Sequence, residues 1–285
     1  MTDSNGLMEG KVCLITGATS GIGEVTAREL ARIGCSVVIT ARDQRKAEIA
    51  VDKLRAESGS LKIDGLVADL SSQVEVRNLA AEFKRQHNRL DVLINNAGAI
   101  YLRRSLSQDG IEMTFAVNHL APFLLTNLLL ETLINSTPSR IINVASNSHE
   151  GQEILFDDLE TRQSFGFMRA YGRSKLANVM FTFELSRRLA GSGVTVNAVH
   201  PGLVGTNMGS NNGWLVRLFL PLFRLFSLKP EVGAETSIYL ASSPGVEEIS
   251  GKYFYQKQVV SSSQYSLDEV KARQLWEVSA KMTGL

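Results

Sequence analysis

The sequence predicts an α/β protein built on one doubly wound parallel sheet of seven strands, with helices on both faces. Three observations carry this reading. Short β-branched apolar runs alternate with longer stretches of helical periodicity. Most of the short runs are nearly continuous in apolar character, as strands covered on both faces are. The first run passes through a glycine-rich turn straight into an amphipathic stretch, the opening of a doubly wound fold. The 285 residues fit a single unit of this kind, so 1–285 reads as one domain.

In chain order the strands are expected at 11–16, 36–40, 62–68, 90–95, 140–145, 194–199 and 252–255. Helices are expected between them at 22–33, 43–57, 72–86, 110–134, 168–190 and 230–242. Two late segments stand apart. The stretch 214–228 is apolar except for Arg217, Pro221, Arg224 and Ser227. Ser266-Leu267-Asp268-Glu269 has the form of a capping box, which would open a final helix over 265–282.

Composition excludes several classes. Hydrophobic residues make up 44% and charged ones 21%, ordinary for a soluble protein with a large core. Thirty basic residues against 29 acidic ones leave a net charge of +1, so no global field recruits nucleic acid. Cys13 and Cys35 are too few for a disulfide framework or a four-ligand zinc site, and read as small buried hydrophobes. His87, His119, His149 and His200 show no metal-ligand spacing, so no metal is expected, although His149 lies close enough to Ser146 to reach a substrate. Residues 1–10 lack the apolar core of a signal peptide, and no window holds about 18 uninterrupted apolar residues. A cytoplasmic location is the expectation.

The turn Thr16-Gly17-Ala18-Thr19-Ser20-Gly21-Ile22-Gly23 suits a backbone that must approach a ligand closely, and the helix behind it offers free N–H groups to a pyrophosphate. This is the phosphate corner of a Rossmann fold. The second strand ends in Thr40-Ala41-Arg42-Asp43. An arginine there pairs with the 2′-phosphate of NADP, whereas a carboxylate would take the ribose hydroxyl of NAD. Arg42 favours NADP(H), with NAD possible because Asp43 is adjacent; Asp43 also suits the N-cap of the second helix. Farther along, Tyr171 and Lys175 stand four apart on a helical stretch, hence on one face. A nearby ammonium, reinforced by an oxidised nicotinamide, would draw a phenol down from its usual value near 10 toward the working range, although such a pair also occurs on ordinary helices.

These motifs together resemble the short-chain dehydrogenase/reductase family, within it the retinol-dehydrogenase-like branch. The resemblance rests on Thr16, Gly17, Gly21, Ile22 and Gly23 of the turn, on Asn95-Asn96-Ala97-Gly98, on Tyr171 and Lys175, and on Ser146 and Asn118. His200-Pro201-Gly202-Leu203-Val204-Gly205-Thr206 is similar to the loop that holds the nicotinamide carboxamide, giving Pro201, Gly202, Val204 and Thr206 as cofactor contacts. The resemblance implies an oxidoreductase in which Tyr171 is the acid–base and Lys175 holds the nicotinamide ribose. Ser146 would bond the substrate oxygen, and Asn118 would hold a water linked to Lys175. Thr19, Ser20, Asp69, Leu70, Asn95, Ala97 and Gly98 would complete the cofactor cleft. Ser20 stands where many NADP-using relatives carry a second basic residue, which leaves the discrimination to Arg42.

Structural alternatives accompany several of these residues. Ser146 could only turn the chain, with Ser148 in its place; Asn118 could only satisfy a backbone carbonyl at a kink; Asp69 could only start a helix. The resemblance also implies that 206–229 closes over the substrate as a lid, and its apolar content points to a lipophilic alcohol or carbonyl: a retinoid, steroid, long-chain aldehyde or aromatic ketone. Phe165, Phe167 and Met168 would add apolar wall. A membrane-surface contact through 214–228 is the second reading beside a lid or dimer surface that touches no membrane, and the resemblance implies a homodimer or homotetramer. The rival reading is a non-catalytic NADP sensor or membrane-surface protein on the same fold.

Overall fold

The computed structural model describes residues 7–163, 165–204 and 228–285. The expected alternation is present: β1 (Val12–Ile15), α1 (Gly21–Arg32), β2 (Ser36–Ala41), α2 (Gln44–Ser58), β3 (Ile63–Val67), α3 (Gln73–Gln86), β4 (Val92–Asn95), α4 (Met113–Asn135), β5 (Ser139–Val144), α5 (Phe167–Arg188), β6 (Val194–Val199), α6 (Pro230–Ser242), β7 (Lys252–Tyr255), β8 (Gln258–Val260) and α7 (Glu269–Thr283). The strands lie in the order β3-β2-β1-β4-β5-β6-β7-β8. The order reverses between β1 and β4, and a ligand crevice opens beyond the carboxyl ends of strands at such a switch point.

Alternation along each strand sends side chains to two cores. Ile15, Ile39 and Ile94 face a layer shared with Leu30 of α1, Leu54 of α2 and Leu240 of α6. Leu14, Val38 and Leu93 face the opposite layer, shared with Leu79 of α3, Phe123 of α4 and Phe181 of α5. With both faces covered, the central strands have no polar side to show, which is why their sequences read as continuous apolar runs.

The sheet has eight strands where seven are expected. Gln258–Val260 pairs antiparallel with β7, Tyr255 opposite Gln258. The connecting pair, Gln256 and Lys257, adopts φ of 48° and 64°. Two-residue hairpin turns of this hand are signalled by Asn-Gly or Asp-Gly, and Gln-Lys gives no such signal.

Helix starts differ from expectation for an equally local reason. α4 begins at Met113 rather than at Gly110, because the Glu112 carboxylate accepts from the backbone N–H of Thr114 and Phe115, both at 2.9 Å. Its segment Ala116–Leu120 is a π-turn. α4 is the one helix among the described residues long and apolar enough to cross a membrane, and 72% of its most apolar window is buried inside the protein. α7 is capped by Asp268, which accepts from Lys271 N at 2.9 Å, not by Ser266. Ser266 lies in the preceding tight turn and bonds Ser262 Oγ and Ser263 O instead.

α7 is fastened to the core through α4 and α5. Trp276 packs against Phe123 with ring centres 5.0 Å apart, and the Arg188 guanidinium lies 4.2 Å above its ring. His119, fully buried, joins Asn178 at 3.3 Å and Ser279 at 2.8 Å. Burial holds its pKa down to about 4. The unfolded chain takes up that proton near 6.5 and the folded chain refuses it, so stability is full above about pH 6.5 and falls as pH drops toward 4. His119→Asn, which does not titrate, is expected to flatten the fall by up to about 3 kcal/mol at the acid end. Denaturant titrations of both proteins between pH 4 and 7 read the two slopes, and identical slopes would refute the assignment.

Candidate active site

The crevice at the switch point is built first from backbone. Gly17 and Gly21 sit at φ of 66° and 63°, which side chains other than glycine adopt at a cost. A Cβ on Gly17 would meet Ala97 Cα at 2.8 Å, and one on Gly23 would meet Asn96 Nδ2 at 2.4 Å and Gly17 O at 2.5 Å. Ser20 occupies the N-cap position of α1 without making a cap bond. The first-turn N–H groups therefore have no side-chain acceptor, and with half-buried Thr19 they form a cradle that fits a pyrophosphate.

The Asn-Asn-Ala-Gly segment holds that cradle in shape. Asn96 donates to Thr16 O at 2.8 Å and Gly17 O at 3.0 Å, while the backbone N–H groups of Asn96 and Ala97 donate to Thr16 Oγ1 at 3.0 Å each. Asn96 and Thr16 both belong to motifs read as backing the cofactor, but only the fold shows that they bond each other, 80 positions apart. Asn95 turns its side chain into the core, donating to Asn143 Oδ1 at 2.8 Å and Thr126 Oγ1 at 2.9 Å. Leu70 likewise packs on the α3–α4 layer.

Arg42 is exposed at the end of β2 and has no hydrogen bond or ion pair among the described residues. Asp43 is committed: it caps α2 by accepting from Lys46 N at 2.9 Å, and it pairs with the Lys46 ammonium. Asp69 caps no helix, since Ser72 does that for α3. Its Oδ1 accepts from Ser71 N at 2.9 Å, while Glu75 reaches back to the Asp69 N–H at 2.6 Å.

At the centre, Tyr171 and Lys175 stand one turn apart on α5, the ammonium 5.7 Å from the ring centre. Both are buried, at 6% and 1% exposure. Lys175 donates to Val144 O at 2.8 Å, and burial draws its pKa down to about 8. Burial pushes Tyr171 up to about 12, against a weaker downward pull from the neighbouring Ser146 side chain. In the protein alone burial outweighs its neighbours, so a lowered phenol would depend on the positive charge of an oxidised nicotinamide beside Lys175. Gly98 faces this pair: a Cβ there would lie 3.3 Å from Lys175 Nζ.

Asn118 lies within the π-turn of α4, wholly buried. Its side chain accepts from Ala99 N at 2.8 Å and donates to Ala99 O at 2.9 Å and Ser174 Oγ at 3.0 Å. Its own carbonyl accepts from Asn178 Nδ2 at 2.8 Å. These bonds clamp the segment after Gly98 to α5, a backbone-satisfying role that leaves the catalytic reading of Asn118 open. Ser146 opens the tight turn Asn147–His149, its hydroxyl accepting from Ser148 N at 3.2 Å. His149 is buried with both ring nitrogens engaged by protein, so it does not reach outward to a substrate.

Beyond β6, Gly202 adopts φ of 85° and donates to His200 Nδ1 at 3.2 Å. Val204 pairs with Leu228 and packs on Ile22 of the glycine turn, which brings the Pro201–Val204 loop over the cradle. Thr206 and the stretch 214–227 lie outside the described residues, as does nearly all of the expected lid.

Comparison with known proteins agrees with this geometry. The pattern of the short chain dehydrogenase family matches residues 11–213. Retinol dehydrogenase 14 from Mus musculus is 47% identical, over 98% of this chain and 88% of that protein. A crystal structure of an uncharacterized protein from Mycobacterium Paratuberculosis superposes with a TM-score of 0.79 at 34% identity, covering 97% of this chain and 94% of that one. A short chain dehydrogenase from Burkholderia cenocepacia J2315, in complex with NADP, gives a TM-score of 0.68 at 28% identity, over 87% of this chain and 96% of its own. A glycine cradle that fits a dinucleotide, a buried tyrosine and lysine beside it, and this breadth of likeness have one reading: the chain belongs to the short-chain dehydrogenase family, in its retinol-dehydrogenase-like branch, and is a nicotinamide-dependent oxidoreductase of alcohols and carbonyls.

Proposed function

We propose that the protein uses NADP(H) to interconvert a lipophilic alcohol and its carbonyl, with Tyr171 as the acid–base. The observation that carries this is the buried Tyr171 side chain, with Ser146 beside it and the Lys175 ammonium one turn away. A phenol held near 12 keeps its proton at neutral pH, as a donor to a carbonyl oxygen must. Ser146 steadies the same oxygen as it gains charge. In the oxidative direction the phenol must first lose its proton, which calls for positive charge close by: Lys175, protonated below its pKa of about 8, supplies part. The nicotinamide, when bound, accepts or delivers the hydride, and its oxidised ring adds positive charge.

Arg42 supports NADP over NAD, because its guanidinium is uncommitted while the neighbouring carboxylate is spent on Lys46. The NADP in the Burkholderia relative is consistent with this. A lipophilic substrate is supported by the name of the mouse relative and by exposed apolar side chains near the site. Phe167 and Met168 are 40% and 50% exposed one turn ahead of Tyr171, and Leu203 is 63% exposed in the loop after β6.

The test is loss of NADPH absorbance with a panel of retinal, a ketosteroid, a long-chain aldehyde, an aromatic ketone and short polar carbonyls. Turnover confined to the short polar members would reject the lipophilic reading. In the same assay Arg42→Ala is expected to weaken NADPH by roughly 10- to 100-fold, the worth of a charged hydrogen-bonded pair, and NADH little. Equal losses would reject the 2′-phosphate contact.

A further inference from the structure

We propose that His149 is a positioning residue: its imidazole fixes the peptide of Ser146, and so the serine hydroxyl, by bridging that peptide to the chain segment between β8 and α7. The proposal rests on the reading of Ser146 as the group that bonds the substrate oxygen.

The contacts form a closed brace. His149 bonds the Ser146 carbonyl twice, through its own backbone N–H at 3.2 Å and its ring Nδ1 at 2.7 Å. The opposite ring nitrogen, Nε2, accepts from the backbone N–H of Ser263 at 3.1 Å, 114 positions away. Since Nε2 accepts, the proton of the neutral ring is on Nδ1, where it donates to the carbonyl. Burial keeps the ring neutral by lowering its pKa. Tyr253 of β7 packs its ring edge-on against the imidazole, with centres 5.0 Å apart. On its other side the same turn is pressed against the helix of Tyr171: a Cβ on Gly172 would meet Ser148 O at 2.5 Å. The turn carrying Ser146 is thus held between α5 in front and residue 263 behind, with His149 as the rear support.

A histidine suits this place because a flat, rigid ring presents a donor and an acceptor on opposite edges. The hydroxyl it steadies lies beside Tyr171, close enough to draw the phenol pKa downward. A shift of the turn by a fraction of an ångström would therefore misplace the serine relative to the reacting oxygen while leaving the glycine cradle, on the far side of β4 and β5, untouched.

The experiment compares four variants of the full chain in steady-state reduction, with NADPH affinity and thermal unfolding measured alongside. His149→Phe keeps the ring against Tyr253 and removes both ring bonds; kcat is expected to fall by roughly 10- to 100-fold, with NADPH affinity changed less than about twofold. His149→Asn keeps an N–H donor where Nδ1 stands and is expected to restore most of that loss. Ser263→Pro removes only the N–H that reaches Nε2, at a backbone φ of −63° that proline adopts, and is expected to cost several-fold in kcat. In a Ser146→Ala background His149→Phe is expected to add little further loss, because the group it positions is gone. Multiplying losses in that double variant, wild-type kcat in His149→Phe, or an equal fall in NADPH affinity would each overturn the proposal. Wild-type turnover in Ser146→Ala alone would remove the reading of Ser146 itself, and the proposal with it. If His149→Phe does not fold, unchanged kcat in Ser263→Pro overturns the brace.

Discussion

Replacing Tyr171 by phenylalanine is expected to lower kcat by about 10²- to 10⁴-fold, the usual worth of a positioned acid–base group, while NADPH binding stays close to wild type. The ring is buried and its packing is kept, so the change removes one hydroxyl and its interaction with the neighbouring Ser146 side chain. Stability should move by no more than about 1–2 kcal/mol, because Ser146 keeps Ser148 N as a partner. The measurements are turnover with the best carbonyl of the panel, cofactor affinity by fluorescence, and a denaturation curve. Wild-type turnover would end the assignment of Tyr171. Turnover lost in step with cofactor affinity would point instead to a collapsed cleft.

Gly23→Ala is expected to have the opposite signature. Its Cβ would stand 2.5 Å from Gly17 O and 3.0 Å from Ala18 Cα, and these are backbone atoms that cannot rotate aside. Asn96 Nδ2, at 2.4 Å, would also have to leave, breaking its bonds to Thr16 and Gly17. The turn must open, and a cradle made of N–H groups loses its aim when its backbone moves. NADPH affinity should fall by at least about 100-fold, on the scale of two or more charge-assisted hydrogen bonds. A loss of about 1–3 kcal/mol in stability should accompany it, the usual range for overpacking. Calorimetric titration with NADPH checks the first number and urea denaturation the second. Near-normal affinity would show that the glycine turn is not the phosphate site.

The two variants divide the proposed site between its parts: the tyrosine would act on the reacting oxygen, and the glycine would shape the backbone that holds the dinucleotide. Both were legible in the sequence because their signals are local. Glycine spacing after an apolar run and a Tyr–Lys pair one helical turn apart need no tertiary knowledge to be seen. Asp43 as a helix cap was equally local. What the sequence could not show were the consequences of burial and of long-range pairing. The spacing of Tyr171 and Lys175 did not show how deeply the phenol is buried, which in the protein alone raises its pKa to about 12. Asn118 was visible as a motif residue, whereas its clamp on Ala99 and Ser174 depends on where two other segments pass.

The sequence by itself determined the doubly wound α/β architecture, the order of its strands' appearance, the glycine turn and the Tyr–Lys pair one helical turn apart, because periodicity and short motifs encode them within a few residues. Tertiary structure alone decided that Asn96 and Thr16 shape the turn, that Asn95 faces inward, that β8 adds an antiparallel edge, and that His149 supports Ser146 from Ser263. Each of these joins positions distant in the chain or depends on a turn without a glycine or asparagine to announce it. Hydrogen bonds between such partners exist only once the sheet and its two helical layers have closed, since the free energy that fixes them is released by burial of the cores.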